Sequence, residues 1–403
     1  MALLSVTDAL ALVLADAVPL PAEAAALVDA CGRVLASDLE ALRTQPPAAV
    51  SAMDGYAVRA VDVVSAPAHL AVVGEVAAGR PLDREIRPGE AARIFTGGVM
   101  PRGTDTVVIQ EVTVRKGDVV AIERAESKGR YVRPEGYDFK TGAALLAKGH
   151  RLTTRDVGLA AAMNHATVPV HRRPRMAVLA TGDELVAPGT PPAVSQIVSS
   201  NSATLIAIGH REGAEMLDLG VAPDRLDAIV AAVQRARAAG VDVLVTSGGA
   251  SVGEHDFVRQ AFASEGMALS FWKIAMRPGK PLMHGRLGGM SVLGLPGNPV
   301  SSFVCAAVFL VPLLRKLAGR SDISLPTARA LLGRALPANG PRADYMRANL
   351  ATAADGTLVA TPFPSQDSSL LVTLSRADCL VIRPPLAPAV EPGAACDIVN
   401  LQF

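Results

Sequence analysis

From residue 175 to residue 317 short apolar runs alternate with amphipathic ones, an order that few folds accept. "RMAVLAT" reads as a strand, "SNSATLIAIGHREG" as a helix, "AEMLDLGVA" as a strand and "LDAIVAAVQRARAAG" as a helix. "VDVLVT", a glycine-rich loop, "MSVLGL" and an apolar helix after Pro299 complete the series. Strands that are apolar throughout need cover on both faces, so the pattern predicts a mostly parallel sheet between helical layers, an α/β domain.

In such a sheet ligands bind beyond the carboxyl ends of the strands. Three of these ends carry polar loops: "TGDEL" (181–185), "SGGASVGEHDF" (247–257) and "PGNPVSS" (296–302). Glycine pairs let backbone amides approach an anion, and the free N–H groups of a following helix favour negative charge. The anion-binding candidates are therefore Ser247, Gly248, Gly249 and Ser251 in one loop and Pro296, Gly297, Asn298, Pro299 and Ser301 in another. Asp183 and Glu184 follow the first strand, and Glu254 and Asp256 close the second loop. Carboxylates beside a phosphate repel it unless a cation intervenes, and Mg²⁺ bridging the two is the usual resolution. Taken alone, Asp183 or Glu184 also reads as a helix cap. "FWKIAMRPGKPL" adds Lys273, Arg277 and Lys280, held by a Pro-Gly turn as an expected oxyanion clamp.

The flanking segments have different textures. Residues 3–18 have helical periodicity, "PLPAE" stops it, and a second helix is expected over 21–27. Between 45 and 138, "HLAVVGEV", "AARIF", "DTVVIQEVTV" and "DVVAIERA" are separated by Gly and Pro turns, the pattern of a small all-β unit. Helical patterning returns after Thr153, and strands resume from 321. The expected division is a discontinuous helical domain (1–44 and 139–172), an inserted β domain (45–138), the α/β domain (173–320) and a small C-terminal β domain (321–403). Within the inserted unit, the Asp-Gly of "SAMDGYAV" (51–58) reads on its own as a turn.

Mean hydropathy of +0.31 raises the question of a membrane. The longest apolar run, "VSSFVCAAVFLVPLL", falls short of the roughly 20 residues needed to span and contains two serines and a proline, so it reads as a buried helix. The N-terminus lacks a basic leader region, and four scattered cysteines form no CxxC pair, which points to the cytoplasm. A net charge of +1 and 3% aromatic residues leave no field or stacking platform for nucleic acid. The one basic cluster, "HRRPR", reads as a solvated linker. There is no GxSxG, no HExxH, no zinc spacing and no GxxxxGK[ST]. The chemistry left is positioning and charge stabilisation around phosphate and a divalent cation.

"SAMDGYAV", "RIFTGGVMPRGTDTVVIQE", "TGDELV", "SNSATL", "TSGGASVGEHDF", "MRPGKPL" and "GLPGNPVSSF" follow one another in this order. The set resembles the MoeA family of molybdopterin molybdenumtransferases, to which the gephyrin E domain belongs, over nearly the whole chain. The resemblance implies a four-domain subunit with a MogA-like α/β molybdopterin-binding domain, acting as a homodimer in the cytoplasm. It implies adenylylated molybdopterin and molybdate as substrates, metal insertion at the dithiolene, release of AMP and a requirement for Mg²⁺. It also implies that Asp54 of one subunit completes the site of the other. Roles carry over to Asp54, Thr96, Asp138, Glu184 and Asp256 as catalytic residues, with Glu184 and Asp256 on Mg²⁺. Asp224, in "LGVAPD", matches a further acidic position. Lys273, Arg277 and Lys280 would hold molybdate or phosphate, Pro296 and Pro299 shape the anion loop, and Arg347 and Ser368 face the cleft. Molybdopterin adenylyltransferase and proteins that mature molybdoenzymes are the implied partners, with no nucleic acid and no membrane.

The chain departs from the family pattern at Ala49 and Val50, where an Asp-Asn pair is usual, and at Ser199, Asp367 and Arg277. Two other readings compete. A molybdopterin adenylyltransferase shares the TSGG-type loop but leaves the N-terminal half unexplained. A molybdopterin or cofactor carrier would bind without turnover.

Overall fold

The computed structural model describes residues 3–248 and 257–401. Helix α1 (Val6–Ala15) starts at a Ser5 cap that accepts from the Asp8 amide. Its buried Ala9 and Val13 join Phe309, Leu310 and Leu313 in the largest core, and Leu20 N–H donates to the Leu317 carbonyl. The N-terminal helix thus packs on the α/β unit, away from residues 139–172.

The second helix expected over 21–27 is a strand, Ala22–Ala26, antiparallel to Thr167–His171. The alanines favour helix locally, but "TVPVH" offers a β-branched edge, and tertiary pairing overrides propensity. Helix α2 (Thr154–Ala162) is closed by a Thr153–Asp156 capping box. It packs over Leu35, Leu39, Phe139, Leu146 and Val170, a core drawn from both sides of the insertion. This discontinuous unit is more strand than was expected.

The insertion is a six-stranded sheet in the order Thr106–Ile109, Gly55–Val58, Glu90–Ile94, Ala68–Val76, Val119–Ile122, Thr113–Lys116. The apolar runs singled out in the sequence supply these strands. Gly55 is no turn residue: it opens a strand, and a Cβ there would lie 2.0 Å from the Val108 carbonyl oxygen. Close approach of backbones is what requires glycine here.

The α/β unit holds six strands in the order Glu215–Ala222, Arg175–Thr181, Val243–Ser247, Met290–Leu295, Met283–Leu287, Ala268–Trp272. The first four are parallel and the last two antiparallel. Helix α3 (Ser200–Arg211) and the helical stretch Pro299–Leu317 cover one face. Helices α4 (Leu226–Ala238) and α5 (Phe257–Ser264) cover the other. Pro299–Leu317 is long and apolar enough to cross a membrane by composition, yet 89% of it is buried in this core. It is the buried helix expected.

The "HRRPR" segment is not a solvated linker. Arg172 makes two hydrogen bonds to Asp242, Arg173 donates to the Gly213 carbonyl and Arg175 pairs with Glu215. Acceptors from two distant segments, 213–215 and Asp242, pin it, which its own sequence does not reveal.

The C-terminal strands Thr327–Leu332, Ala343–Thr352, Leu358–Pro362, Cys379–Arg383 and Ala395–Asn400 close into a small barrel, with Ala343–Thr352 pairing to both Leu358–Pro362 and Cys379–Arg383. Met276–Arg277, from the α/β unit, adds a short parallel strand to Ala343–Thr352.

Candidate active site

The carboxyl ends of Arg175–Thr181, Val243–Ser247 and Met290–Leu295 open onto one cleft of about 670 Å³. Its wall contains Thr181, Glu184, Asp224, Ser247, Gly248, the run Pro296 to Pro299, and Ser301. Nine residues expected from sequence therefore meet here: Glu184, Asp224, Ser247, Gly248, Pro296, Gly297, Asn298, Pro299 and Ser301. Gly248 has φ +97°, and a Cβ there would lie 2.4 Å from the Thr181 carbonyl oxygen, so the strand end turns only with glycine. Gly249, Ser251 and Asp256 lie outside the described residues.

The wall has an uneven charge balance. No Lys or Arg lines it among the described residues, while Glu184 and Asp224 do. Burial raises the Asp224 carboxyl above its ordinary value, and the Asp183 and Glu184 charges push the same way. Asp183 also accepts from the Asp224 amide. An anion entering this cleft meets hydroxyls, the amino ends of α3 and of the helix from Pro299, and excess carboxylate. A hard cation relieves that excess. Among the described residues no three acidic, His or Cys side chains form a metal site by themselves.

The expected cation clamp is not assembled on the cleft wall. Lys273 has its ammonium 4.3 Å from the centre of the Trp272 ring, Arg277 pairs with Asp344 of the barrel, and Lys280 is exposed. Pro281, next to Lys280, does line the cleft.

The C-terminal barrel reaches the site through one loop. Asn298 Nδ2 donates to Ser368 Oγ at 2.8 Å, and Val300 N–H donates to the Ser368 carbonyl. Ser369 lines the cleft. Arg347 does not face the cleft as expected; it is 1% exposed. Its guanidinium donates to the carbonyls of Leu370 and Asp367, so it holds the loop that carries Ser368. "DYMR" identified the residue but could not show that a neighbouring loop uses up its donors.

Asp54, Thr96 and Asp138 lie in or beside the inserted sheet and are not among the residues lining the cleft of their own chain. Asp54 Oδ1 accepts from the Thr96 amide (2.7 Å) and hydroxyl (2.8 Å). These two bonds, the amide first, with Arg93 adding to them, hold the Asp54 carboxyl below its ordinary value. Arg93 also donates to Gln110 and lies over the rings of Tyr56 and Phe95. Asp138 is exposed, with its amide on the Gln45 carbonyl.

Sequence reasoning passed over the α3 end of the cleft. Ser199, Ser200 and Asn201 line it, with Ile197 and Val198 of a small ribbon paired to Leu185–Val186. The "SNSATL" motif was the available signal, but it entered only through the family resemblance, with Ser199 noted as a departure.

Comparison with known proteins covers nearly all of this architecture. Residues 4–164 match the family description "MoeA N-terminal region (domain I and II)", residues 177–316 "Probable molybdopterin binding domain" and residues 329–401 "MoeA C-terminal region (domain IV)". The chain is 36% identical over 380 residues to a molybdopterin molybdenumtransferase of Nostoc sp., spanning 92% of this chain and 86% of that one. It is 36% identical over 384 residues to molybdopterin molybdenumtransferase 2 of Mycobacterium tuberculosis, spanning 93% and 94%. The crystal structure of the molybdopterin biosynthesis MoeA protein of Pyrococcus horikoshii superposes with a TM-score of 0.85 at 28% identity, covering 100% of each chain.

Proposed function

Because the chain belongs to the MoeA family of molybdopterin molybdenumtransferases, we propose that it completes the molybdenum cofactor from adenylylated molybdopterin and molybdate, releasing AMP. The observation that carries this reading is the cleft at the strand ends, where hydroxyls, two helix starts and surplus carboxylate converge.

The pyrophosphate bridge of the adenylylated pterin is bound by Ser247, Gly248 and the loop from Pro296 to Ser301. Oxygen donors with excess negative charge suit Mg²⁺, and Glu184, with Asp256, would hold it. When bound, Mg²⁺ neutralises phosphate against the carboxylates. Asp224 deepens the acidic wall, and Thr181 and Ser301 position the phosphates. Lys273, Arg277 and Lys280 draw molybdate toward the cleft entrance. Ser368, steered by Arg347, closes the barrel side.

The absence of Asp54, Thr96 and Asp138 from the cleft wall of their own chain supports a homodimer in which they complete the partner's site. Asp54 acts there as an anionic base or orienting group, kept ionised by Thr96. The four-part division 1–44 with 139–172, 45–138, 173–320 and 321–403 is our working domain scheme, with helix α1 docked on the α/β unit, and the cytoplasm our expected location. A molybdopterin adenylyltransferase delivers the substrate, and proteins that mature molybdoenzymes take the product.

The deciding experiment mixes the purified protein with adenylylated molybdopterin, Mg²⁺ and low molybdate. It follows AMP release together with reconstitution of a molybdenum-free apoenzyme. Molybdate-dependent AMP release with active cofactor is expected. Tight pterin binding without AMP would overturn the enzyme reading in favour of a carrier, the outcome that Ala49 and Val50 would then explain.

A further inference from the structure

Three strand-end loops can form one site only if something fixes their mutual spacing. Backbone pairing does so as far as Ser247 and Leu295, where the parallel register ends. Beyond that point a side chain of α3 bridges the gap. Asn201, in the first turn of α3, donates through Nδ2 to Ser247 Oγ at 2.8 Å and to the Gly297 carbonyl at 2.7 Å. One amide thus links α3, the end of Val243–Ser247 and the Pro296 to Pro299 loop.

The chemistry of the partners orients this amide. A carbonyl only accepts, so the nitrogen of Asn201 must face Gly297. The oxygen Oδ1 then points elsewhere, and Asn201 itself lines the cleft. Asn201 is partly buried, and a cleft-lining acceptor whose own amide nitrogen holds it rigid is placed to meet a ligand donor. Thr181, 2% exposed and lining the same cleft, has a hydroxyl without a partner among the described residues.

We propose that Asn201 is a positioning and specificity residue: its Nδ2 holds the Ser247 and Gly297 loops at fixed spacing, and its Oδ1 accepts from an N–H or O–H donor of the substrate. This rests on the transferase reading for the identity of the substrate but not for the tie between the loops. A site built to accept from a substrate donor rejects analogues lacking it far more strongly than apolar contact does.

The test uses the full-length protein with Asn201→Ala and Asn201→Asp. The aspartate keeps the shape and an acceptor but cannot donate to the Gly297 carbonyl. Without ligand, where repulsion of an anionic substrate plays no part, hydrogen exchange across residues 297–302 is expected to be faster in both variants. Protection unchanged in both would overturn the tie. With adenylylated molybdopterin, Asn201→Ala is expected to raise KM about tenfold with a smaller effect on kcat, and Asn201→Asp is expected not to restore it. If the alanine leaves wild-type KM unchanged, the substrate contact is wrong; if the aspartate restores it, the acceptor alone sets binding and the tie to Gly297 has no part in it. Failure of the wild type to release AMP would count against the transferase reading alone, and the exchange result would still decide the tie.

Discussion

Single residues here show how burial sets chemistry. His284 sits 2% exposed on the strand Met283–Leu287, with neither ring nitrogen partnered among the described residues and Phe271 beside it. Burial pushes its pKa down to about 4 from the ordinary 6.5, with Arg286 acting the same way and Asp16 against it. The folded state therefore keeps this ring neutral where the unfolded chain would protonate it. Its stabilising effect is complete above pH 6.5 and is lost as pH falls toward 4, at up to about 1.4 kcal/mol per pH unit. Denaturant unfolding at pH 7 and pH 4.5 should show this slope in the wild type. His284→Phe should flatten it, and an unchanged slope would rule this residue out as the source. Asp54 is the opposite case, a carboxylate kept charged by donors from Thr96. The sequence marked Asp54 and Thr96 through their motifs, whereas His284 lies just past the end of "FWKIAMRPGKPL", where no motif pointed to it.

At the scale of elements, helices with caps and strands with continuous apolar runs were legible, and the exceptions have physical causes. The parallel strands of the α/β unit announce themselves because both faces are buried. Residues 22–26 did not, since alanine is neutral to the pairing that "TVPVH" imposes. The antiparallel strand Met283–Leu287 was missed because His284, Gly285 and Arg286 interrupt its apolar pattern. The site was legible where loops follow strands, and illegible where donors are consumed at a distance, as at Arg347 and in the cation clamp. Helix α2 offers a quantitative check. Thr153 and Asp156 exchange reciprocal bonds. Burial opposes the charge on Asp156, but bonds from His150 and Thr153 outweigh it and bring the carboxyl to about 2 from 3.8. Thr153→Ala should cost about 1 kcal/mol near neutral pH. The part carried by the charge is present above about pH 4 and disappears as pH falls through 2. Thermal unfolding of the variant and wild type over that range measures both.

The whole molecule is where the proposed shared site can be tested. Asp54→Ala and Glu184→Ala should each lower AMP release roughly a hundredfold as homodimers. If a site draws Asp54 from one subunit and Glu184 from the other, unfolding and refolding the two variants together restores activity. Each mixed dimer then holds one complete site, so a one-to-one mixture should reach about a quarter of the wild-type rate. No recovery would place both residues in one subunit's site. The joint between the α/β unit and the barrel carries a different consequence. Because Met276–Arg277 pairs with Ala343–Thr352, the barrel borrows a strand made some 50 residues before its own first strand begins. A cut near residue 320 would leave that pairing edge bare, and bare strand edges recruit other chains. The C-terminal barrel is therefore a poor candidate for transplantation: in inheritance and in engineering alike, it should travel with the "MRPGKPL" turn or arrive as an aggregate.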